Sequence, residues 1–387
     1  MFPAAVGAGL LALLLLFGSG AALADALADL AAAQAAIEGG DPAGALQRVD
    51  RAIDSQALRG QPLAQAYVLR GVALHRGGDP ARAVESYHDA LKIDPLSVDA
   101  FSNLGLAFDD LNRPAEAVQA HDRAVWLRPD LAAPFYNRGN SYNRAGEFGL
   151  ALQDYSRVLA LEPDHTAALT NRATVYLRQG HYVEAFADYA RVLDITPDDP
   201  LAWFTRANAF LNIGAFNRAE ADFGAAIERG HKTAVSYQRR GDARFLLGNF
   251  EAARQDYARA ILAGSTDGQL LLWHHLAAGR AGRPNSRSLV SAFERGDLGH
   301  WQGLAAKVLL GKSDPVEALA AAAPGAPVRE AATRRARLLF YVGAMHLLAG
   351  RDAAAVEAFR ETVEGSPDRT KEVLGAEAEL ARLGQEL

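Results

Sequence analysis

Cysteine is absent from all 387 residues. That excludes disulfides, thiolate metal ligands, a cysteine nucleophile and any cysteine-linked lipid. Aromatic residues are few, 8% of the chain, whereas alanine is abundant and half of all residues are hydrophobic. That balance suits close-packed helices better than sheets. Charge of either sign is in mild excess only, with a formal net of −6. A general nucleic-acid binder needs a basic face to displace counterions, so this class is excluded. Catalytic signatures are missing too: the sequence holds neither H-E-x-x-H nor G-x-S-x-G. Gly311-Lys312-Ser313 resembles the end of a phosphate loop, but Ala306 stands where the upstream glycine is required. It reads as one helix ending and another beginning, with Ser313 or Asp314 as cap and Pro315 in the first turn. His274 and His275 are adjacent, so on a helix they point about 100° apart and do not share a metal. No catalytic residue, metal or cofactor is expected.

Charged side chains are also missing from the first 24 residues. An apolar run from Val6 to Phe17 precedes Ala22-Leu23-Ala24, an A-x-A pattern just before Asp25. Residues 1–24 therefore read as a secretory signal peptide, the run being short for a bilayer span. The expected location is the bacterial periplasm, soluble after cleavage or anchored at the N-terminus if uncleaved. No later stretch is long and apolar enough to span.

What the chain has in place of these features is a period. Gly71, Gly105, Gly139, Ala173, Ala207 and Gly241 follow one another at intervals of 34 residues. The same interval separates Ala83, Ala117, Ala151, Ala185, Ala219 and Ala253, and the rings Tyr87, His121, Tyr155, Tyr189, Phe223 and Tyr257. Pro95, Pro129, Pro163 and Pro197 close four of the units. The period is uninterrupted through 64–267, as six units at 64–97, 98–131, 132–165, 166–199, 200–233 and 234–267. Each unit reads as a helix pair: small residues where the two helices touch, a ring filling the gap, a glycine (Gly78, Gly146, Gly180, Gly214, Gly248) capping the first helix, and proline stopping the second.

These positions resemble the tetratricopeptide repeat (TPR), as Trp203, Ala207, Phe210, Ala219, Phe223 and Ala226 show in one unit. The resemblance implies an all-α fold, a right-handed α-solenoid of TPR helix pairs whose first helices line a concave groove. Residues 25–63 read as a degenerate N-terminal helix pair, 268–335 as an irregular helical segment, and 336–387 as a C-terminal TPR-like pair with a capping helix. No strands are expected.

Two polar series run through the array. Arg138, Arg172, Arg206 and Arg240 each have an aspartate 16 residues on: Asp154, Asp188, Asp222 and Asp256. Leu104 and Ala120 occupy both positions in 98–131, and Arg70 faces Ser86 in 64–97. Charge mostly comes at both positions or at neither, which predicts structural pairs between the two helices of a unit. The second series is Asn103, Asn137 and Asn171, joined on one helix face by Asn140, Asn143, Arg144, Thr174, Arg178, Asn208 and Asn212. The resemblance puts this series on the concave wall. An amide both donates and accepts, so such a column suits the backbone of an extended peptide; a merely solvated groove is the competing reading. The lysines of a chaperone-tail carboxylate clamp are not at the required places.

The layout as a whole is similar to the NlpI-like bacterial periplasmic TPR adaptors. The carriers are Tyr341-Val342-Gly343, Leu347 to Asp352 and Phe359 at the end, and Trp301 with Leu309 to Ser313 in the middle. That resemblance implies a homodimeric adaptor presenting peptidoglycan hydrolases or other clients to a periplasmic protease. Its lipidated cysteine is absent here, so anchoring does not carry over. A scaffold for secretion or envelope assembly and a peptide-binding periplasmic chaperone are the alternatives. All three bind protein or extended peptide without catalysis.

Overall fold

The structure is a computed structural model describing residues 21–323 and 325–385. It is all-helical there, without a strand among the described residues. Two compact units divide at Ile195 and Thr196.

The first unit is five consecutive helix pairs. They are α1 (Ala21–Glu38) with α2 (Pro42–Asp54), α3 (Gly60–Arg76) with α4 (Pro80–Ile93), and α5 (Val98–Asp110) with α6 (Pro114–Leu127). Then come α7 (Ala132–Ala145) with α8 (Phe148–Leu161) and α9 (Thr166–Arg178) with α10 (Tyr182–Ile195). Each helix packs chiefly on its neighbours in sequence. First helices of successive pairs also touch, α3 with α5, α5 with α7 and α7 with α9, which puts them on the inner side of the stack. The expected signal segment lies mostly outside the described residues. Ala22, Leu23 and Ala24 fall in the first turn of α1, and its buried stripe of Ala26, Leu30, Ala33 and Ile37 starts just beyond them.

The second unit opens with α11 (Pro200–Asn212), α12 (Phe216–Glu228), α13 (Ala234–Leu246) and α14 (Phe250–Leu262). The period then breaks. α15 (Gly268–Arg280), α16 (Arg287–Arg295), α17 (His300–Leu309) and α18 (Pro315–Ala320) lead to a long pair, α19 (Val328–Leu348) with α20 (Asp352–Gly365), and to α21 (Lys371–Arg382). Helix α19 starts eight residues before position 336, where the closing unit was expected. Asp368 draws in its first turns, accepting from Arg329 at 2.6 Å and Thr333 at 2.7 Å.

The repeat positions show why these residues fold this way. A Cβ added at Gly71 would lie 2.3 Å from the Tyr87 ring, and one at Gly105 2.3 Å from His121. Glycine therefore sets the spacing of these pairs, and the ring fills it. Gly78, Gly146, Gly180, Gly214 and Gly248 all have positive φ, between 78° and 86°. In 98–131 the same role falls to Asn112, at φ 56°, a residue that tolerates the left-handed region. Asp314 caps α18 by accepting from Val316 N and Glu317 N, so the Gly311-Lys312-Ser313 stretch is a helix stop and restart.

The core of the second unit gathers around Trp273, which packs edge-on to Phe245 at 4.8 Å and stacks on Phe340 at 5.1 Å. Helix α21 seats on this core through Val373, Ala376 and Leu380, and two of its glutamates also face inward. Glu372 and Glu379 are 0% and 2% exposed. Gln269 and Tyr341 donate to Glu372, while Arg280 and Arg382 flank Glu379 at 3.1 and 2.9 Å. Arg382 also donates to the carbonyls of Phe245 and Leu246, satisfying the open C-terminal end of α13. Lys371 pairs with the buried Asp242 and lies 4.2 Å from the Trp273 ring.

Candidate functional site

The arginine series forms forks. Arg138 donates through Nε and Nη2 to both carboxylate oxygens of Asp154, at 2.8 and 2.7 Å. Arg172 does the same to Asp188 (2.8 and 2.8 Å), Arg206 to Asp222 (2.6 and 2.9 Å) and Arg240 to Asp256 (2.8 and 2.8 Å). The four aspartates are nearly buried, between 0% and 6% exposed. Hydrogen bonds donated to Asp154, Asp188 and Asp256 hold the guanidinium pKa values of Arg138, Arg172 and Arg240 above their ordinary range. Sequence reasoning missed the remaining donor: Arg138 reaches back to Asp122 at 2.8 Å and Arg172 to Ser156 at 3.0 Å, each 16 residues earlier. Arg70 likewise joins Asp50 of α2 and Ser86. Arg70, Arg138 and Arg172 thus each clamp their own second helix and the preceding one. The serine or aspartate 16 residues upstream was the available signal.

The asparagine face divides into residues already engaged and residues left open. Asn140 Oδ1 accepts from Tyr155 OH at 2.8 Å and from Asn171 Nδ2 at 2.9 Å, and Asn171 also donates to Tyr136 OH. Thr174 meets Tyr189 OH at 3.1 Å, and in the last unit Asp242 takes the Tyr257 hydroxyl at 3.0 Å. In these three units the position one past the small residue is therefore the partner of the ring hydroxyl 15 residues on. In 64–97 that position is Val72, and the Tyr87 hydroxyl has no hydrogen-bond partner among the described residues. Where that ring is Phe223, the corresponding Asn208 turns to its own helix and donates to Phe204 O. Asn103 donates to Asp99 O in the same manner. Burial pushes the phenol pKa values of Tyr155, Tyr189 and Tyr257 upward, so these hydroxyls stay protonated donors.

What remains open lies mainly on α7 and α9. Asn137 makes no side-chain hydrogen bond among the described residues, and Asn143 Oδ1 is buried with no partner. Arg144 is exposed and makes one long bond, 3.4 Å, to Asp109 O. Arg178 is exposed, 5.8 Å from the Phe148 ring. Asn212, in the second unit, is exposed as well. The α7–α9 face thus offers donors and acceptors held at fixed depth, with two guanidiniums at its C-terminal edge. It has no nucleophile–base pair, and the described residues contain no group of side chains placed to hold a metal. His274 and His275 are largely buried in α15, and burial holds both imidazole pKa values below their usual range.

The tetratricopeptide repeat family model matches residues 30–96, 76–132, 136–200 and 204–266, more than half of the chain. Curated proteins give no match. Among solved structures, a tetratricopeptide repeat protein from Parabacteroides merdae ATCC 43184 superposes with a TM-score of 0.51 at 20% identity, over 66% of this chain and 99% of that one. PilW, a type IV pilus biogenesis factor, gives 0.48 at 23%, over 52% of this chain and 95% of its own. MamA gives 0.39 at 25%, over 42% and 95%. Proteins of this family bind protein partners as scaffolds, and the repeat is typically non-enzymatic. From its repeat spacing, its paired helices and this family match, the chain belongs to the tetratricopeptide repeat family.

Proposed function

We propose that the chain is an exported, non-enzymatic adaptor of the bacterial cell envelope that holds an extended segment of a partner on its α7–α9 face. One observation carries this reading: Asn137, Arg144 and Arg178 stand open on a face whose neighbouring amides are tied down by Tyr136 and Tyr155. A preorganised polar face loses less entropy on binding than a mobile one. Amides that donate and accept recognise backbone, and guanidiniums select carboxylates. The uncharged N-terminal run and its A-x-A pattern support export. The adaptor role, presenting peptidoglycan hydrolases or other clients to a periplasmic protease, is favoured by the layout of an array, irregular helices and a closing pair. The amide face also favours a second reading, a chaperone for extended peptides.

Affinity capture with the full chain from an envelope extract separates these. Stoichiometric recovery of a carboxy-terminal processing protease together with a hydrolase is the expected result. A broad set of unfolded chains supports the chaperone instead, and secretion components alone contradict both.

A further inference from the structure

Beyond the repeat face, the break in periodicity opens a second surface. A cleft of about 800 Å³ lies between the α14–α15 junction and α16. Its floor is apolar, with Ile261, Leu271 and Leu298, and its rim carries Arg287, Ser291, Arg295 and Asp297. Arg295 is already bound to Asp297 at 2.7 Å and to Ser291. Arg287 is exposed and has no ion pair among the described residues. The surrounding sequence is basic. Arg280, Arg283, Arg287, Arg295, Lys307 and Lys312 stand against Glu294 and Asp297, a local excess of positive charge in a chain whose net is −6. Arg280 turns inward to Glu379 and Lys312 lies over Phe293, which leaves Arg287 as the rim cation open to a partner.

We propose that this cleft docks an acidic segment of a partner protein, one in which carboxylates alternate with apolar side chains. In an extended chain successive side chains point to opposite sides. Apolar residues therefore meet Ile261, Leu271 and Leu298 while carboxylates reach Arg287 and the serine hydroxyls. Nine residues of α16 span about 13 Å, room for roughly four extended residues. Nucleic acid fits poorly, because one open guanidinium over an apolar floor does not replace a counterion layer. This docking is a second contact, independent of the α7–α9 face.

The test uses a phage-displayed library of random dodecapeptides selected on the full chain. The enriched peptides are then measured by fluorescence anisotropy against Arg287→Glu, Arg287→Lys and Asn137→Ala, with helical circular dichroism as the folding control. Enrichment of Asp and Glu alternating with Leu, Ile or Phe is expected. Binding should fall about tenfold in Arg287→Glu, stay within about threefold in Arg287→Lys, and be unchanged in Asn137→Ala. Peptides without carboxylates, or peptides indifferent to Arg287→Glu, would overturn the proposal. Acidic peptides lost instead in Asn137→Ala would also overturn it while supporting the α7–α9 face.

Discussion

Arg206 keeps only 21% of its side-chain surface and Asp222 only 7%, so each must find its partner inside the protein. Removing one charge strands the other, and the cost of an uncompensated, mostly buried charge exceeds the net worth of the pair. Arg206→Leu should therefore lose about 2 kcal/mol in urea denaturation. Arg206→Leu with Asp222→Ala copies Leu104 and Ala120 of 98–131 and should stay within about 1 kcal/mol of the parent. Equal losses in the single and double variants would contradict a structural pair. The forks were legible in the sequence because a fixed period aligns each arginine with its aspartate. The backward bonds to Asp122 and Ser156 were not, since they require knowing that one helix touches two others. The asparagine face misled for a related reason. Amides bound to a neighbouring ring and amides open to a partner are identical in sequence; tyrosine against phenylalanine at the ring position separates Asn140 from Asn208 but does not mark Asn137.

His274 and His275 add a pH dependence at the same scale. Their folded pKa values are depressed by burial, so the unfolded chain binds more protons below the ordinary value of 6.5. The stability they contribute is present above that pH and is lost as the pH falls through the folded values. The melting temperature should drop between pH 7 and pH 5 by calorimetry, and His274→Leu with His275→Leu should flatten that drop. An unchanged slope in the double variant would show that the acid sensitivity lies elsewhere.

For single elements, the close approach of paired helices sets competing effects whose magnitudes decide the outcome. Alanine is favoured over glycine within a helix by about 1 kcal/mol. At Gly71 its Cβ would meet the fully buried Tyr87 ring at 2.3 Å, and overpacking costs about 1–3 kcal/mol. Gly71→Ala should thus be net destabilising in a thermal melt, whereas Gly149→Ala, with nothing within 4 Å, should be neutral or stabilising. Helix α21 depends on its inward charges in the same manner as the forks. Lys371→Ala leaves Asp242, 3% exposed, with the Tyr257 hydroxyl as its remaining donor. The loss should be about 3 kcal/mol, and hydrogen exchange should show α21 and the end of α13 opening together. Protection retained in α21 would contradict this dependence on Lys371. The helix itself was legible as the closing segment. Its inward glutamates were not, because an acidic residue on a capping helix reads as solvent-facing until its partners on α15 and α19 are known.

On the scale of the whole molecule, two compact units carry different surfaces. The first is repeat throughout its described length, and its polar face follows from the period. The second departs from the period at α15, and its α14–α16 cleft depends on packing among short helices whose ends are set by Gly282, Gly296 and Gly311. Repeat spacing therefore made the architecture readable up to about residue 267; beyond it the closing pair and its capping helix could be anticipated, but for 268–335 only helix content. If the α7–α9 face holds the partner as proposed, scaffold residues and partner-binding residues are separable on the first unit. The most direct test of that separation is quantitative affinity capture from envelope extract, comparing the parent chain with Asn137→Ala, Arg144→Ala and Arg178→Ala combined. An unchanged melting temperature with at least a tenfold loss of the captured partners is expected. Full retention of those partners by the folded triple variant would contradict it.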